Sequence, residues 1–310
     1  MVEQVVEIGE AGLHLSLYRG FLKVSDKDGE RGRVPLDDMT ALILSAPDAT
    51  VSKNILVALS ERGVPVVVCG KNWHPVSMMV PVTGHYEGAG ILYDQIDISV
   101  PLQKRLWQTL VKEKISNQAL VIQKHVPDSP RLTEILNMAR RVRSGDPDNL
   151  EAQAARLYWP ALMGENFRRD YYAHDQNSLL NYGYTVLRAA TARAVCAAGL
   201  NTALGVHHRN RKNSFCLVDD LMEPFRPLID DVVRSLWEEH KNNFTTLTPD
   251  LKQKLTAVLV LDLEGERGMS PLVNCLYRLA QSVRDSFQTK SHVLVLPKIV
   301  GADNFLQNDY

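Results

Sequence analysis

Three stretches of this 310-residue chain gather carboxylates, imidazoles and cations where an apolar core has no use for them. The first, NLEAQAARLYW, sets Glu151 among small and apolar residues with Arg156 below it. The second, GLNTALGVHHRNRKN, runs from Gly199 through small residues to His207 and His208, then into Arg209, Arg211 and Lys212. The third, LVDDLMEPFRP, crowds Asp219, Asp220 and Glu223 ahead of two prolines. A hard divalent cation such as Mg²⁺ or Mn²⁺ prefers oxygen ligands, and Mn²⁺ also accepts an imidazole. Two carboxylates and one imidazole leave positions open for water and phosphate oxygens, as metal-assisted phosphoryl transfer requires. On a helix Asp220 and Glu223 share a face, where like charges cost roughly 0.2–0.5 kcal/mol unless a cation lies between them. Each stretch also has an ordinary reading. Glu151 suits a helix N-terminus, the histidines suit a loop or the core, and the acidic cluster suits the first turn of the next helix. All three in one helical region favour the metal site.

The elements that must position these residues divide the chain in two. Up to residue 83 the pattern is β-rich: VVEIG, LHLSLYR and FLKVSD alternate apolar and polar residues, ALILSA and VPVVVCG are short apolar runs, and HPVSMMVPV is extended. VSKNILVALSERG has helical spacing and stops at Gly63. Residues 84–90, glycine-rich and poor in core formers, read as a linker. From 91 to 310 the spacing is helical almost throughout, with helices marked by Leu102–Val111, Ile135–Val142, Asn177–Ala198, Phe225–Trp237 and Leu272–Leu279. Asp146-Pro147 starts the helix that carries Glu151 and runs to Pro160. The expected fold is α+β, a small N-terminal β domain for dimerisation and assembly followed by a larger α-helical catalytic domain.

Lysine and arginine number 35 against 36 acidic residues, so the basic surplus common in nucleic-acid proteins is absent. Local charge sets the field a phosphate backbone feels, and here it is uneven. Arg140, Arg141 and Arg143 form one cluster, Arg168 and Arg169 a second, and Arg209, Arg211 and Lys212 a third. These are candidate DNA-backbone contacts, with the solvated surface as the alternative. Asn177 and Asn181, one helical turn apart, share a face that suits a ligand or phosphate. Capping for Asn177 and core packing for the neighbouring Tyr184 are the alternatives. The four cysteines lack the short spacings of zinc or redox motifs and read as buried free thiols. No apolar run approaches the ~20 residues that cross a bilayer, and the acidic start MVEQVVEIGE is unlike a signal peptide, so the expected location is cytoplasmic.

NLEAQAARLYW, NSLLNYGYTVLRA, ALGVHHRN and DDLMEPFRPLID occur in the order and spacing of the CRISPR-associated integrase, the first of the two universal adaptation proteins. The resemblance covers essentially the whole chain, and GVHH with DDLMEPFRP resembles the type II branch. It implies a prokaryotic homodimer. Two such dimers flank a dimer of the second adaptation protein in a heterohexamer, with type II accessory and effector proteins as further partners. It implies capture of a protospacer duplex and its insertion at the leader end of the repeat array by 3′-hydroxyl transesterification. It implies Glu151, His208 and Glu223 as ligands of Mg²⁺ or Mn²⁺, with Asp220 and His207 as further candidates. Two rival readings are a structure-specific, metal-dependent DNA nuclease of repair and a non-catalytic DNA-binding scaffold.

Overall fold

A computed structural model describes residues 4–70, 75–81, 87–170, 173, 175–240, 247–265 and 268–299. Among the described residues the N-terminal part holds eight strands and one α-helix: β1 (Gln4–Ile8), β2 (His14–Tyr18), β3 (Phe21–Asp26), β4 (Gly29–Pro35), β5 (Met39–Leu44), β6 (Thr50–Val51), α1 (Lys53–Glu61), β7 (Val66–Cys69) and β8 (Pro75–Met79). They form two four-stranded sheets, ordered β1-β5-β7-β8 and β4-β3-β2-β6. In the first sheet β5 runs parallel to β1 and β7, and β8 closes an edge antiparallel to β7.

The strand β4, GERGRVP, carries Gly29 and Gly32 within a strand. It pairs antiparallel along β3 as an edge strand. Glycine and charge suit an edge, where they discourage further pairing. β5 explains why ALIL is apolar on both faces. Leu42 packs into a core with Leu15, Leu22, Ile55 and Val66, while Ala41 and Ile43 belong to the core of the helical part. One sheet therefore serves two cores.

The remainder is helical: α2 (Gly88–Ile96), α3 (Val100–His125), α4 (Leu132–Arg141), α5 (Leu150–Met163), α6 (Gln176–Ala197), α7 (Cys216–Met222), α8 (Arg226–Glu239), α9 (Pro249–Thr256) and α10 (Leu272–Thr289). A hairpin of β9 (Asp262–Gly265) and β10 (Gly268–Pro271), unanticipated from sequence, precedes α10. Of the expected linker 84–90, residues 84–86 lie outside the described residues and Gly88–Gly90 open α2. α5 continues through Pro160 to Met163, further than the proline suggested. Gly199 at φ 78° ends the turn after α6, a left-handed position that glycine adopts freely. Trp107 and Tyr158, both fully buried, fill the centre between α3 and α5. Cys196, Cys216 and Cys275 are buried, Cys69 is half-buried, and all four are free thiols. No helix among the described residues is long and apolar enough to cross a membrane.

Candidate active site

Glu151 sits in the first turn of α5, and Asp146 places it there. Asp146 takes a left-handed backbone, φ 47°, and its carboxylate reaches forward to accept from Leu150 N at 2.9 Å and Glu151 N at 3.0 Å. The expected start at Asp146-Pro147 is corrected: Asn149 is the N-cap and the helix begins at Leu150, although the Asp146 side chain still accepts from its first two amides. Two orphan amides of the helix start are satisfied by one buried carboxylate.

The three acidic residues expected to crowd together are separated by the partners they meet. Asp219 accepts two hydrogen bonds from Arg188, at 2.7 and 2.9 Å. Asp220, fully buried, turns to the GVHH loop. It accepts from His207 N at 3.0 Å and His208 N at 3.3 Å, and its Oδ1 lies 2.5 Å from His208 Nδ1. Gly205 allows this close wrap: a Cβ there would stand 2.6 Å from both Asp220 Oδ2 and the His208 carbonyl oxygen. Glu223 opens a 3-10 turn, Glu223–Phe225, that Asn117 of α3 anchors by donating to Pro224 O at 2.8 Å.

The two histidines have different surroundings. His207 stacks flat on Trp107, ring centroids 4.1 Å apart and planes 2° off parallel. Burial, followed by the neighbouring His208, pushes its pKa down. His208 packs edge-on to the same indole. Its pKa is pushed up, first by the hydrogen bond to Asp220. With Nδ1 donating to Asp220, the neutral ring carries its lone pair on Nε2, the arrangement by which carboxylates orient metal-binding histidines.

Lys114, which sequence reasoning passed over, joins the two glutamates. Its Nζ stands 2.6 Å from Glu151 Oε1 and 2.6 Å from Glu223 Oε2. Arg226 Nε donates to the other Glu223 oxygen at 2.8 Å. Burial alone would raise the Glu223 carboxyl, but Arg226 and Lys114 outweigh it and hold it at about 2. Glu223 Oε2 is buried, and the Lys114 ion pair is its contact. That oxygen and the neighbouring Glu151 form a donor pair suited to a divalent ion. With Lys114 between the two carboxylates, no three His, Cys, Asp or Glu side chains among the described residues stand close enough together to hold a metal. A lysine at a core-facing position was the available signal. Lys114 follows Trp107, Leu110 and Val111 at helical spacing on the buried face of α3.

Beyond Glu223 the polar network continues. Arg226 and Arg169 both lie over the Tyr184 ring, and Tyr184 Oη donates to Asp230 Oδ1 at 2.5 Å. Tyr158 Oη donates to Asp230 Oδ2 at 2.9 Å. Burial raises the Asp230 carboxyl to about 7, and the tyrosine hydroxyls and arginines only partly counter it.

Several candidate phosphate contacts have partners within the protein. Asn177 and Asn181 do share a face, and it grips Arg169: the guanidinium donates to their side-chain oxygens at 2.8 and 2.6 Å. Asp175, rather than Asn177, caps α6. Arg143 pairs with Asp148, Arg168 donates to the carbonyls of Glu165 and Phe167, and Arg209 donates to Gln103. Arg140 and Arg141 are exposed in the last turn of α4, and Arg211 and Lys212 are exposed beside the histidine loop. A cavity of about 400 Å³ opens against His208, walled by Gln103, Leu204, Arg209 and Arg211.

The sequence matches the family model described as CRISPR associated protein Cas1 over residues 6–258. It is 37% identical over 293 residues to the CRISPR-associated endonuclease Cas1 of Neisseria meningitidis serogroup C (strain 8013), covering 93% of this chain and 94% of that one. The fold is similar to a casposase solved bound to its integration product, with TM-score 0.77, 17% identity, and 94% and 92% of the two chains covered. It is also similar to a chain of a Cas6-RT-Cas1–Cas2 complex, with TM-score 0.76, 17% identity, and 96% and 36% covered. On the extent of the family match and the near full-length likeness to the meningococcal protein, the chain belongs to the CRISPR-associated Cas1 family.

Proposed function

We propose that the chain is a metal-dependent DNA integrase of CRISPR adaptation, joining short duplexes to the repeat array, with Glu151, His208 and Glu223 holding one Mg²⁺ or Mn²⁺. The observation that carries this reading is the meeting of Glu151 and Glu223, from separate elements, on a single cationic atom. His208, oriented by Asp220 and near enough to feel the charge of both glutamates, would have to close on the ion to complete the set. The 3′-hydroxyl of the captured duplex attacks a phosphodiester at the repeat boundary, and the 3′-oxygen of the repeat strand leaves. One phosphodiester replaces another, so no nucleotide cofactor is consumed. When bound, the ion supplies positive charge that acidifies the attacking hydroxyl and offsets charge developing at phosphorus.

The chain's own residues prepare that site. Arg226 fixes one Glu223 oxygen, Asp146 sets the first turn beneath Glu151, and Asp220 keeps His208 Nε2 as its free nitrogen. His207, spent on the Trp107 stack, positions the loop. Arg211, Lys212, Arg140 and Arg141 offer charge to the DNA backbone, which is bound largely through phosphates. The solved Cas6-RT-Cas1–Cas2 complex supports the second adaptation protein as partner, the solved TtCas1-DNA complex supports DNA as ligand, and the casposase complex supports joining as the reaction. The relatives' name, endonuclease, favours a second reading in which water replaces the DNA hydroxyl at the same site.

Incubating a labelled duplex, with free or blocked 3′ ends, with a repeat-bearing plasmid separates the two. The integrase reading expects joined product only with a free 3′ end and divalent metal, increased by the second adaptation protein. Metal-dependent cleavage without joining under every such condition would replace it with the nuclease reading.

A further inference from the structure

Lys114 puts a positive charge where the proposed reaction calls for one. Its side chain is 13% exposed, and its Nζ lies 2.6 Å from an oxygen of each glutamate. The two oxygens are therefore no farther apart than twice that distance. Carboxylates held so close away from water need a counter-cation. A divalent ion needs the same space, because it too binds oxygens at short range. A strut behind two ligands would leave their other oxygens facing an ion, and Glu223 argues against that role for Lys114. Its Oε1 is engaged by Arg226, so Oε2 remains for an ion, and Oε2 is the oxygen that Lys114 contacts.

We infer that Lys114 is a built-in counter-cation that occupies the ion's place between Glu151 and Glu223 and is displaced when a divalent ion enters. The inference rests on the metal reading proposed above. It gives the metal-free protein a paired, folded site instead of two buried like charges. Metal entry then becomes an exchange of one cation for another.

The test compares Mn²⁺ affinity and thermal midpoints of the wild type and K114M, a neutral residue of similar length. The exchange predicts that K114M binds Mn²⁺ about tenfold or more tightly, because the competing charge is gone. It predicts a metal-free midpoint lower by roughly 5 °C or more, recovered on adding Mn²⁺. A second measurement needs no variant. Acylation of wild-type lysines, read by mass spectrometry, should show Lys114 becoming more reactive when Mn²⁺ is added. Equal or weaker Mn²⁺ binding by K114M, or Lys114 reactivity unchanged by Mn²⁺, overturns the inference while wild-type binding keeps the metal reading. Failure of both proteins to bind Mn²⁺ overturns both.

Discussion

The fully buried Asp220 carboxylate holds two backbone amides and one imidazole of a neighbouring loop. Its effect on metal binding must therefore pass through His208. Asp220→Asn should weaken Mn²⁺ binding by about 10–100-fold, the usual loss when a histidine ligand's supporting carboxylate is removed. Calorimetric titration with Mn²⁺ checks this, and an unchanged affinity would free His208 from dependence on Asp220. The acidic and histidine stretches were legible in the sequence because charge stands out against small and apolar neighbours. The division of labour inside them was not. Whether Asp219 meets an arginine, or Asp220 a loop amide, depends on which helix crosses behind it, and spacing along one helix says nothing of that. Lys114 was hidden for the opposite reason, since VKEKI looks like a solvated helical face until Leu110 and Val111 show that it points inward.

α3 is the element on which the site is built. Gln103, Trp107, Lys114 and Asn117 receive Arg209, His207, the two glutamates and the Glu223 turn respectively. α5 brings Glu151 to it, and its first turn depends on Asp146. Asp146→Ala should cost about 0.5–2 kcal/mol of stability, as lost helix caps do. It should also reduce joining more than global stability explains, measured by denaturant unfolding beside a strand-transfer assay.

Asp230 ties α5, α6 and α8 together through Tyr158 and Tyr184. Its pKa, about 7 in the fold against 3.8 ordinarily, means the folded state keeps a proton that the unfolded chain gives up. The stability it contributes is whole below pH ~4 and is lost as pH rises to about 7, roughly 4 kcal/mol in total. Unfolding measured at pH 5 and pH 7.5 should show about 2.5 kcal/mol of that loss in the wild type and none of it in Asp230→Asn. The helices themselves were readable from their apolar spacing and from stops such as Gly199. The strand β4 and the hairpin β9–β10 were not, because glycine and charge signal turns as readily as edge strands.

Among the described residues, the β part and the helical part meet at the β1-β5-β7-β8 sheet and at an ion pair. Glu7 of β1 accepts from Tyr182 of α6 at 2.9 Å and from Lys252 of α9 at 2.5 Å. Glu7→Ala should cost roughly 2 kcal/mol in denaturant unfolding, discounted for partial exposure, and leave Mn²⁺ affinity unchanged. The β-then-α order was visible in the change of period near residue 83. The sheet shared between two cores was not, since continuous apolarity in ALIL marks burial without saying what covers each face. A net charge of −1 likewise says little about DNA, because it averages over Arg211 and Lys212 at the site and acidic residues elsewhere.

The central claim, that Glu151, His208 and Glu223 serve one cation, is tested most directly by anomalous diffraction from crystals of the protein grown with Mn²⁺. The account predicts a single Mn²⁺ peak within coordinating distance of all three side chains, with the Lys114 ammonium moved from between the glutamates. A Mn²⁺ peak elsewhere, or none while Lys114 still bridges Glu151 and Glu223 at saturating metal, would contradict it.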